Sequence, residues 1–202
     1  EVAHKGRCLV AVEAIPAGTV VVREEPWVIT EPRRSHGNWR LVELLLRQGL
    51  TCEHLSSRYV SNKAAQRVWD REDSVLCATL SQRFHVPTDD VQWLYGLCCT
   101  NSLVTTVVVE HQQHIHALER HAIFRALTLV NHACAPNCVC EPEALASTFH
   151  VLRTTRDIAA GEELCYSYLP PGVDPQAQLD PQERLDYLRR EFGFRCRCSA
   201  CE

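Results

Sequence analysis

Hydrophobic positions follow two different spacings along the chain, and these spacings separate extended from helical segments. Short apolar runs at residues 9–12 and 19–22, divided by a Pro-Ala-Gly turn, are typical of β-strands. A β-branched run at residues 103–109 and an alternating run at 148–155 have the same character. We therefore predict strands on both sides of a differently folded middle.

The middle of the chain carries apolar residues at helical spacing. A stripe over residues 39–49 follows Asn38, a potential N-cap, and a longer stripe covers residues 56–84. Thr88 is a potential cap for a further helix. Near the end, residues 180–183 (Asp-Pro-Gln-Glu) form a capping box with proline at the first helical position. Core packing is the expected role of the stripes.

Cysteine is unusually frequent, with 12 among 202 residues. This content indicates either a secreted disulfide-linked protein or a reduced intracellular protein with metal-bound and buried thiols. Cys196, Cys198 and Cys201 lie so close together that they favour one metal ion over three separate disulfides. A structural zinc site takes four ligands, so the fourth must be distant. The cysteines that the spacing leaves open for this place are Cys134, Cys138 and Cys140.

Charge and hydropathy limit the expected partners and location. The formal net charge is −4 and no long basic run exists, so nucleic-acid binding through phosphate contacts is not expected. No apolar stretch of about 18 residues predicts a membrane span, and no signal peptide opens the sequence. We therefore expect an intracellular protein of the nucleus or cytoplasm. The start at Glu1 and the lack of methionine favour a fragment of a longer chain.

Three segments carry residues suited to chemistry as well as packing. Residues 5–7 (Lys-Gly-Arg) let a ligand approach the backbone and offer it positive charge, although an ordinary hairpin has the same pattern. Asn131 and His132 directly follow an apolar run, and a buried, hydrogen-bonded histidine is the simpler interpretation of the second. Tyr166 and Tyr168 share one strand face, which packing alone also explains.

Together, these segments resemble the motifs of SET-domain protein lysine methyltransferases. Residues 5–11 resemble the opening glycine-rich motif of that family. Residues 131–137 (Asn-His-Ala-Cys-Ala-Pro-Asn) resemble its Asn-His-Ser-Cys-x-Pro-Asn signature, and residues 161–168 resemble Gly-Glu-Glu-Leu-x-Tyr-x-Tyr. Residues 192–201 are similar to its cysteine-rich post-SET segment. With Thr-Asn-Ser at residues 100–102, the chain most resembles the SET-and-MYND type.

The chain departs from this pattern at a few positions. Cys8 stands where the family often has a second glycine, and Ala133 replaces a serine. Residues 31–100 contain no eight-ligand array of cysteine and histidine, so we expect the MYND zinc module to be absent. Cys8 supports the alternative of a catalytically inactive SET-like module for protein interaction. The intact Asn131, His132 and Tyr168 argue for an enzyme.

The resemblance implies an α+β fold of small SET-domain sheets, in which two motif segments pass through one another in a pseudoknot. A helical insertion would interrupt the sheets, and a zinc-binding post-SET tail would follow them. The implied divisions are residues 1–30 for the N-terminal strands, 31–100 for the insertion, 101–179 for the core with the pseudoknot, and 180–202 for the post-SET zinc segment.

The implied reaction transfers methyl groups from S-adenosylmethionine to a lysine of a histone or non-histone protein, with no nucleic acid or membrane involved. The expected catalytic residues are Tyr168 and Phe192. The expected cofactor-binding residues are Lys5, Gly6, Arg7, Asn101, Asn131, His132 and Phe194. The expected ligands of a structural zinc ion are Cys134, Cys196, Cys198 and Cys201. Among the three open candidates, Cys134 is preferred because the family motif has a cysteine there.

Phe192 completes the expected site. It stands where related sequences often place a tyrosine in the lysine channel. Loss of that hydroxyl widens the channel and removes a group that holds water. We therefore expect the enzyme to add more than one methyl group.

Overall fold

The structure, a computed structural model, divides the chain into two compact units. One unit combines Glu1–Pro26 with Arg125–Glu202, and the other is Trp27–Phe124. The residues that the structure describes are 7–32, 36–56, 59, 70–111, 114–144, 147–170 and 179–201.

The described residues form strands and helices that are numbered here in chain order. The strands are β1 (Leu9–Val10), β2 (Val20–Glu24), β3 (Val28–Ile29), β4 (Ser102–His111), β5 (His114–Ile123), β6 (Asn131–His132), β7 (Cys138–Pro142), β8 (His150–Thr154) and β9 (Glu163–Tyr166). The helices are α1 (Gly37–Arg47), α2 (Cys52–Leu55), α3 (Arg71–Phe84), α4 (Thr88–Asn101) and α5 (Pro181–Phe192). A single 3-10 turn within the described ranges, Leu127–Leu129, precedes β6.

Two three-stranded sheets, β1-β9-β6 and β2-β8-β7, belong to the first unit. β9 lies in the middle of its sheet, antiparallel to β1 and parallel to β6. The parallel pair sets Asn131 opposite Cys165 and His132 opposite Tyr166. A two-residue strand makes few ladder hydrogen bonds, so side-chain contacts must help to hold it in place.

The second unit packs helices around an apolar core and adds the sheet β3-β5-β4. Leu45, Leu94 and Leu97 are fully buried there, and the rings of Trp39 and Tyr95 lie 4.2 Å apart. Burial of these residues confirms that the apolar stripes of α1 and α4 pack in a core.

The predicted N-cap of α1, Asn38, is wrong. His36 is the cap residue, in the left-handed conformation with φ 62°, and it makes no side-chain cap hydrogen bond. Asn38 lies inside the first turn, where Oδ1 accepts a hydrogen bond from Ser102 Oγ and contacts His121 Nδ1. These distant partners compete with local capping, so the tertiary structure decides what this side chain does.

The helix predicted over residues 56–84 is interrupted. Asp70 is extended and accepts a hydrogen bond from the Asp73 N–H at 2.7 Å, so α3 begins directly after it. The earlier part of this prediction, at residues 57–58 and 60–69, lies outside the described residues.

The C-terminal helix begins as the sequence predicts. An Asp180 carboxylate oxygen accepts from the Glu183 N–H and the Glu183 carboxylate accepts from the Asp180 N–H, which confirms the capping box. Thr88, in contrast, is the first residue of α4 and not its cap, because Pro87 occupies the cap position. α5 ends at Gly193, whose φ of 76° favours glycine.

The strands and the fold class also follow the sequence. β2, β4 and β8 confirm the strands predicted at residues 19–22, 103–109 and 148–155, and β1 confirms the first strand over two residues. A mixed α and β structure with small sheets agrees with the α+β class. The four divisions of the chain and the pseudoknot remain predictions. No helix in the described part of the chain is both long and apolar enough to span a bilayer.

Candidate active site and metal site

A buried asparagine joins the two motif segments around β6 and β9. Asn137, which is 4% exposed, accepts a hydrogen bond from the Cys165 N–H at 2.8 Å. Its Nδ2 donates to the Glu163 carbonyl and to Glu162 Oε1. The side chain thus supplies bonds that the short β6–β9 ladder lacks. Asn137 was not among the predicted site residues, although it is the last asparagine of the Asn-His-Ser-Cys-x-Pro-Asn signature, which was an available signal.

The Asn131 side chain is held so that its carbonyl oxygen is the available group. Nδ2 donates to the Arg7 carbonyl at 3.2 Å and to Glu163 Oε1 at 2.8 Å. Since an amide nitrogen carries two hydrogens, both are engaged. Oδ1 accepts no hydrogen bond from the described residues and can accept one from a ligand.

The Tyr168 hydroxyl is oriented by the main chain. It donates to the Val130 carbonyl at 2.7 Å. Burial raises the pKa of Tyr168, so the phenol stays protonated at neutral pH. With its hydrogen engaged, the oxygen is left as an acceptor towards a ligand.

Aromatic rings surround Tyr168. The ring centroids of Tyr166 and Phe192 lie 4.9 and 5.0 Å from its centroid, and that of Phe194 lies 6.3 Å away. Phe194 also lies 6.0 Å from the His132 ring. The structure therefore brings both predicted phenylalanines together with the predicted catalytic tyrosine.

Four cysteines meet in the same buried cluster as these rings. The Sγ atoms that lie within 4.8 Å of one another belong to Cys134, Cys196, Cys198 and Cys201. Cys134 Sγ lies 3.5 Å from Cys201 Sγ and 4.0 Å from Cys196 Sγ, distances too long for a disulfide. Tetrahedral zinc with Zn–S bonds of about 2.3 Å separates its sulfurs by roughly 3.8 Å, so this donor set fits one zinc ion.

Hydrogen-bond donors surround the sulfurs. The Cys134 N–H donates to Cys198 Sγ at 3.4 Å, and His132 Nε2 lies 3.2 Å from Cys134 Sγ. A hydrogen bond from the Cys134 thiol lowers the pKa of Cys196, and the same hydrogen bond raises the pKa of Cys134. Since the thiolate is the form that binds metals, the donation from the Cys134 N–H to Cys198 Sγ favours metal binding at that sulfur.

Arg184 is a further residue of this cluster that the sequence did not indicate as functional. It is 4% exposed and donates to the Leu179 carbonyl at 2.7 Å and to the Ala200 carbonyl at 2.9 Å. Although burial opposes it, the neighbouring sulfurs of Cys201 and Cys134 raise the pKa of Arg184. The available signal was an arginine one helical turn before a buried leucine, on the face that packs inwards.

Comparison with known proteins assigns this arrangement to one family. The family model for the SET domain matches residues 6–169, which is most of the chain. The chain belongs to the SET-domain family. The family prediction made from the motifs is thereby confirmed.

The SET domain is also similar to curated methyltransferases. It is 27% identical over 112 residues to protein-lysine N-methyltransferase SMYD4 of Mus musculus, covering 55% of this chain and 13% of that protein. It is 32% identical over 80 residues to histone-lysine N-methyltransferase SMYD3 of Homo sapiens, covering 40% and 17%. It is 38% identical over 73 residues to histone-lysine N-methyltransferase SET5 of Yarrowia lipolytica, covering 36% and 15%. The matched part thus spans less than a fifth of each relative.

The remaining predicted residues belong to several segments of the chain. Lys5 and Gly6 lie outside the described residues, whereas Arg7 is described and exposed. Asn101 lies in the second unit at the end of α4, where Nδ2 donates to the Leu97 carbonyl at 2.9 Å. In β7, outside the group of four sulfurs, lie Cys138 and Cys140.

Proposed function

We propose that this SET domain is a protein-lysine N-methyltransferase that transfers methyl groups from S-adenosylmethionine to a lysine of a histone or non-histone protein. The observation that carries the proposal is the Tyr168 oxygen, which is left as an acceptor inside a group of aromatic rings. The similarity to relatives named as protein-lysine and histone-lysine N-methyltransferases supports it.

The cofactor contacts follow from the Asn131 side chain. Its open group is an oxygen, which is suited to the ammonium group of the methionine part of S-adenosylmethionine. Arg7 would contact the cofactor through its main chain, and Phe194 would stack near the adenine. The other residues proposed to contact the cofactor are Lys5, Gly6, Asn101 and His132.

The reaction requires a neutral lysine amine in line with the sulfonium methyl group that S-adenosylmethionine supplies when bound. An ammonium has no lone pair, so the amine must lose its proton before it attacks. The Tyr168 oxygen would accept a hydrogen bond from the amine, or a weak C–H···O hydrogen bond from the methyl group. The surrounding rings would exclude water and hold the two partners in line, which lowers the barrier.

Zinc would have a structural role in this proposal. Cys134 belongs to the Asn-His segment, and the other three cysteines belong to the tail after α5. One ion would therefore tie Phe192 and Phe194 to the segment that carries Asn131. The side-by-side placement of β6 and β9 supports a pseudoknot that the same ion would hold closed.

A labelled methyl-transfer assay tests the proposed activity. Zinc-loaded protein, with radiolabelled S-adenosylmethionine, should label members of a protein array. Tyr168→Phe removes the accepting oxygen but keeps the ring, so we expect labelling to fall about 100-fold or more. Tyr95→Phe, at a buried tyrosine of the second unit, is the matched control and should retain activity. Equal labelling by the wild type and Tyr168→Phe would refute the assigned role.

An inactive SET-like interaction module is the second candidate, and Cys8 in place of a glycine favours it. A glycine lets a ligand approach the backbone closely, and a side chain at that position opposes it. Isothermal titration of zinc-loaded protein with S-adenosylmethionine separates the two functions. Binding supports the enzyme, and absence of binding supports the inactive module.

A further inference from the structure

The His132 imidazole contacts both the cysteine group and the Tyr168 segment. The side chain is buried, with 4% of its surface exposed. Nδ1 lies 3.0 Å from the Tyr168 main-chain nitrogen, and Nε2 lies 3.2 Å from Cys134 Sγ. Both separations are hydrogen-bond distances. One ring thus lies between the proposed metal ligand and the proposed catalytic residue.

The Tyr168 contact decides which ring nitrogen carries the hydrogen. A main-chain N–H can only donate, so Nδ1 must accept and cannot be protonated. In the neutral imidazole the hydrogen then lies on Nε2, which faces Cys134 Sγ. A thiolate is a good acceptor for that N–H group, so the two hydrogen bonds require the same tautomer.

We propose that His132 is a positioning residue that, as the Nε2–H tautomer, fixes the Tyr168 main chain relative to the Cys134 sulfur. This inference rests on the proposed function, in which Cys134 binds zinc and Tyr168 orients the reacting groups. Metal binding by the tail cysteines and Cys134 then affects the position of the Tyr168 main chain through one rigid ring. Groups beyond the direct ligands commonly orient metal sites in this way.

The two hydrogen bonds of His132, to the Tyr168 N–H and to Cys134 Sγ, form a bridge between these residues. An asparagine or a glutamine can reproduce only one of these two hydrogen bonds. The ring places its acceptor and its donor on separate atoms at a fixed distance, and the pairing of β6 with β9 fixes where the ring starts. An asparagine at this position puts its oxygen near the place of Nδ1. A glutamine puts its amide nitrogen near the place of Nε2. The two substitutions therefore separate the two hydrogen bonds.

Nitrogen NMR on zinc-loaded protein with isotope-labelled histidine tests the tautomer. We expect the His132 ring to show a non-protonated Nδ1 and a protonated Nε2. The signal that disappears in His132→Gln provides the assignment. A protonated Nδ1 would overturn the proposal, because that nitrogen could not accept from Tyr168.

The two variants test the halves of the bridge. In His132→Asn we expect zinc affinity, measured by chelator competition, to fall about 10–100-fold, because the donor to sulfur is lost. The Tyr168 amide should exchange its hydrogen as in the wild type. In His132→Gln we expect zinc affinity within about threefold of the wild type. The Tyr168 amide should then exchange about tenfold faster, because its acceptor is lost.

His54→Asn, at an exposed histidine of the second unit, is the control and should change neither quantity. Equal losses in both His132 variants, or no loss in either, would show that the ring only fills space. None of these measurements requires methyl transfer. A wild-type protein with the expected tautomer, zinc affinity and exchange but no activity would refute the enzymatic function and support the bridge. An active wild type with the opposite tautomer would refute the bridge alone.

Discussion

Two polar side chains at the site use their donors within the protein and leave acceptors for ligands. Asn131 donates both amide hydrogens to Arg7 and Glu163, and Tyr168 donates its hydroxyl hydrogen to Val130. Accepting oxygens favour ammonium groups and polarised C–H groups over carboxylates. The site is therefore suited to a sulfonium cofactor and a lysine amine.

Phe192 sets the expected number of methyl groups. Its ring lies 5.0 Å from that of Tyr168, and in the proposed function an added hydroxyl would enter the lysine channel. We expect Phe192→Tyr to shift the product of a methylated peptide towards the monomethyl form, as measured by mass spectrometry. The wild type should add more than one methyl group, and a purely monomethyl product at long times would contradict this.

Glu162 makes the stability of the domain depend on acidic pH. Hydrogen bonds from Arg156, the Ala159 N–H and Asn137 lower its pKa to about 2. Because this is below the unfolded value, the stabilisation is complete above about pH 5 and is lost as the pH falls towards 2. We expect Glu162→Gln to lower the free energy of unfolding by about 1–2 kcal/mol at pH 7, with solvent screening included.

Urea unfolding of the wild type and Glu162→Gln across the pH range measures this difference. The difference should shrink from pH 5 downwards and vanish only below about pH 2, once Glu162 is protonated in the folded protein as well. Glu141→Gln, at an exposed carboxylate 3.5 Å from Arg153, is the control and should change stability by less than about 0.5 kcal/mol. A difference that does not vary with pH would contradict the assignment.

At the scale of elements, α5 leads directly into the tail that carries Phe194 and three of the four cysteines of the proposed site. A capping box starts the helix, Leu188 is fully buried, and Gly193 ends it. The chain that leaves this end carries Phe194 and then the three tail cysteines. The helix thereby determines where the tail can reach.

Arg184 should hold the tail against α5. Its guanidinium donates to the Leu179 and Ala200 carbonyls, so Arg184→Leu leaves two partly buried acceptors without these donors. We expect the free energy of unfolding to fall by about 2–4 kcal/mol in urea titrations. Arg189→Leu, at an exposed arginine of the same helix, should change it by less than about 0.5 kcal/mol. Similar effects of the two substitutions would show that Arg184 contributes nothing specific.

At the scale of the whole molecule, the cysteine group joins distant parts of the chain. Cys134 and Cys196 are 62 positions apart, yet their sulfurs lie 4.0 Å from each other. A metal that binds residues so far apart only when they are brought together stabilises the folded chain by its binding free energy. The Asn-His segment and the tail are the parts that such a link would hold together.

Zinc removal should therefore abolish activity and loosen the tail. We expect chelation to eliminate methyl transfer and to increase hydrogen exchange across residues 179–201. Cys134→Ser should lower bound zinc, measured by atomic absorption, whereas Cys140→Ser in β7 should retain one ion per chain. Full activity after verified zinc removal would contradict the proposed dependence of the active site on the metal.

Local signals were sufficient for much of the fold and for the identity of the motifs. Four strands and the α5 capping box could be predicted, because turn chemistry, β-branched runs and capping act over a few neighbouring residues. The cap of α1 could not be predicted, because the Asn38 side chain bonds to residues more than sixty positions away. For Asn137 and Arg184 the sequence offered a signal for the residue but not for its partners, which are carbonyls and side chains of other segments.

The sequence by itself determined the SET-domain family, the α+β class and the residue types from which the site is built. Motif order and the spacing of the tail cysteines are properties of the chain as written. Spacing left Cys134, Cys138 and Cys140 open and the motif favoured Cys134, but only the tertiary structure brought the Cys134 sulfur to the three sulfurs of the tail. It also decided that His132 faces Cys134 on one side and Tyr168 on the other. The physical reason is that a local sequence pattern does not identify the distant partner of a strand or of a polar side chain. That partner is determined only when the chain has folded.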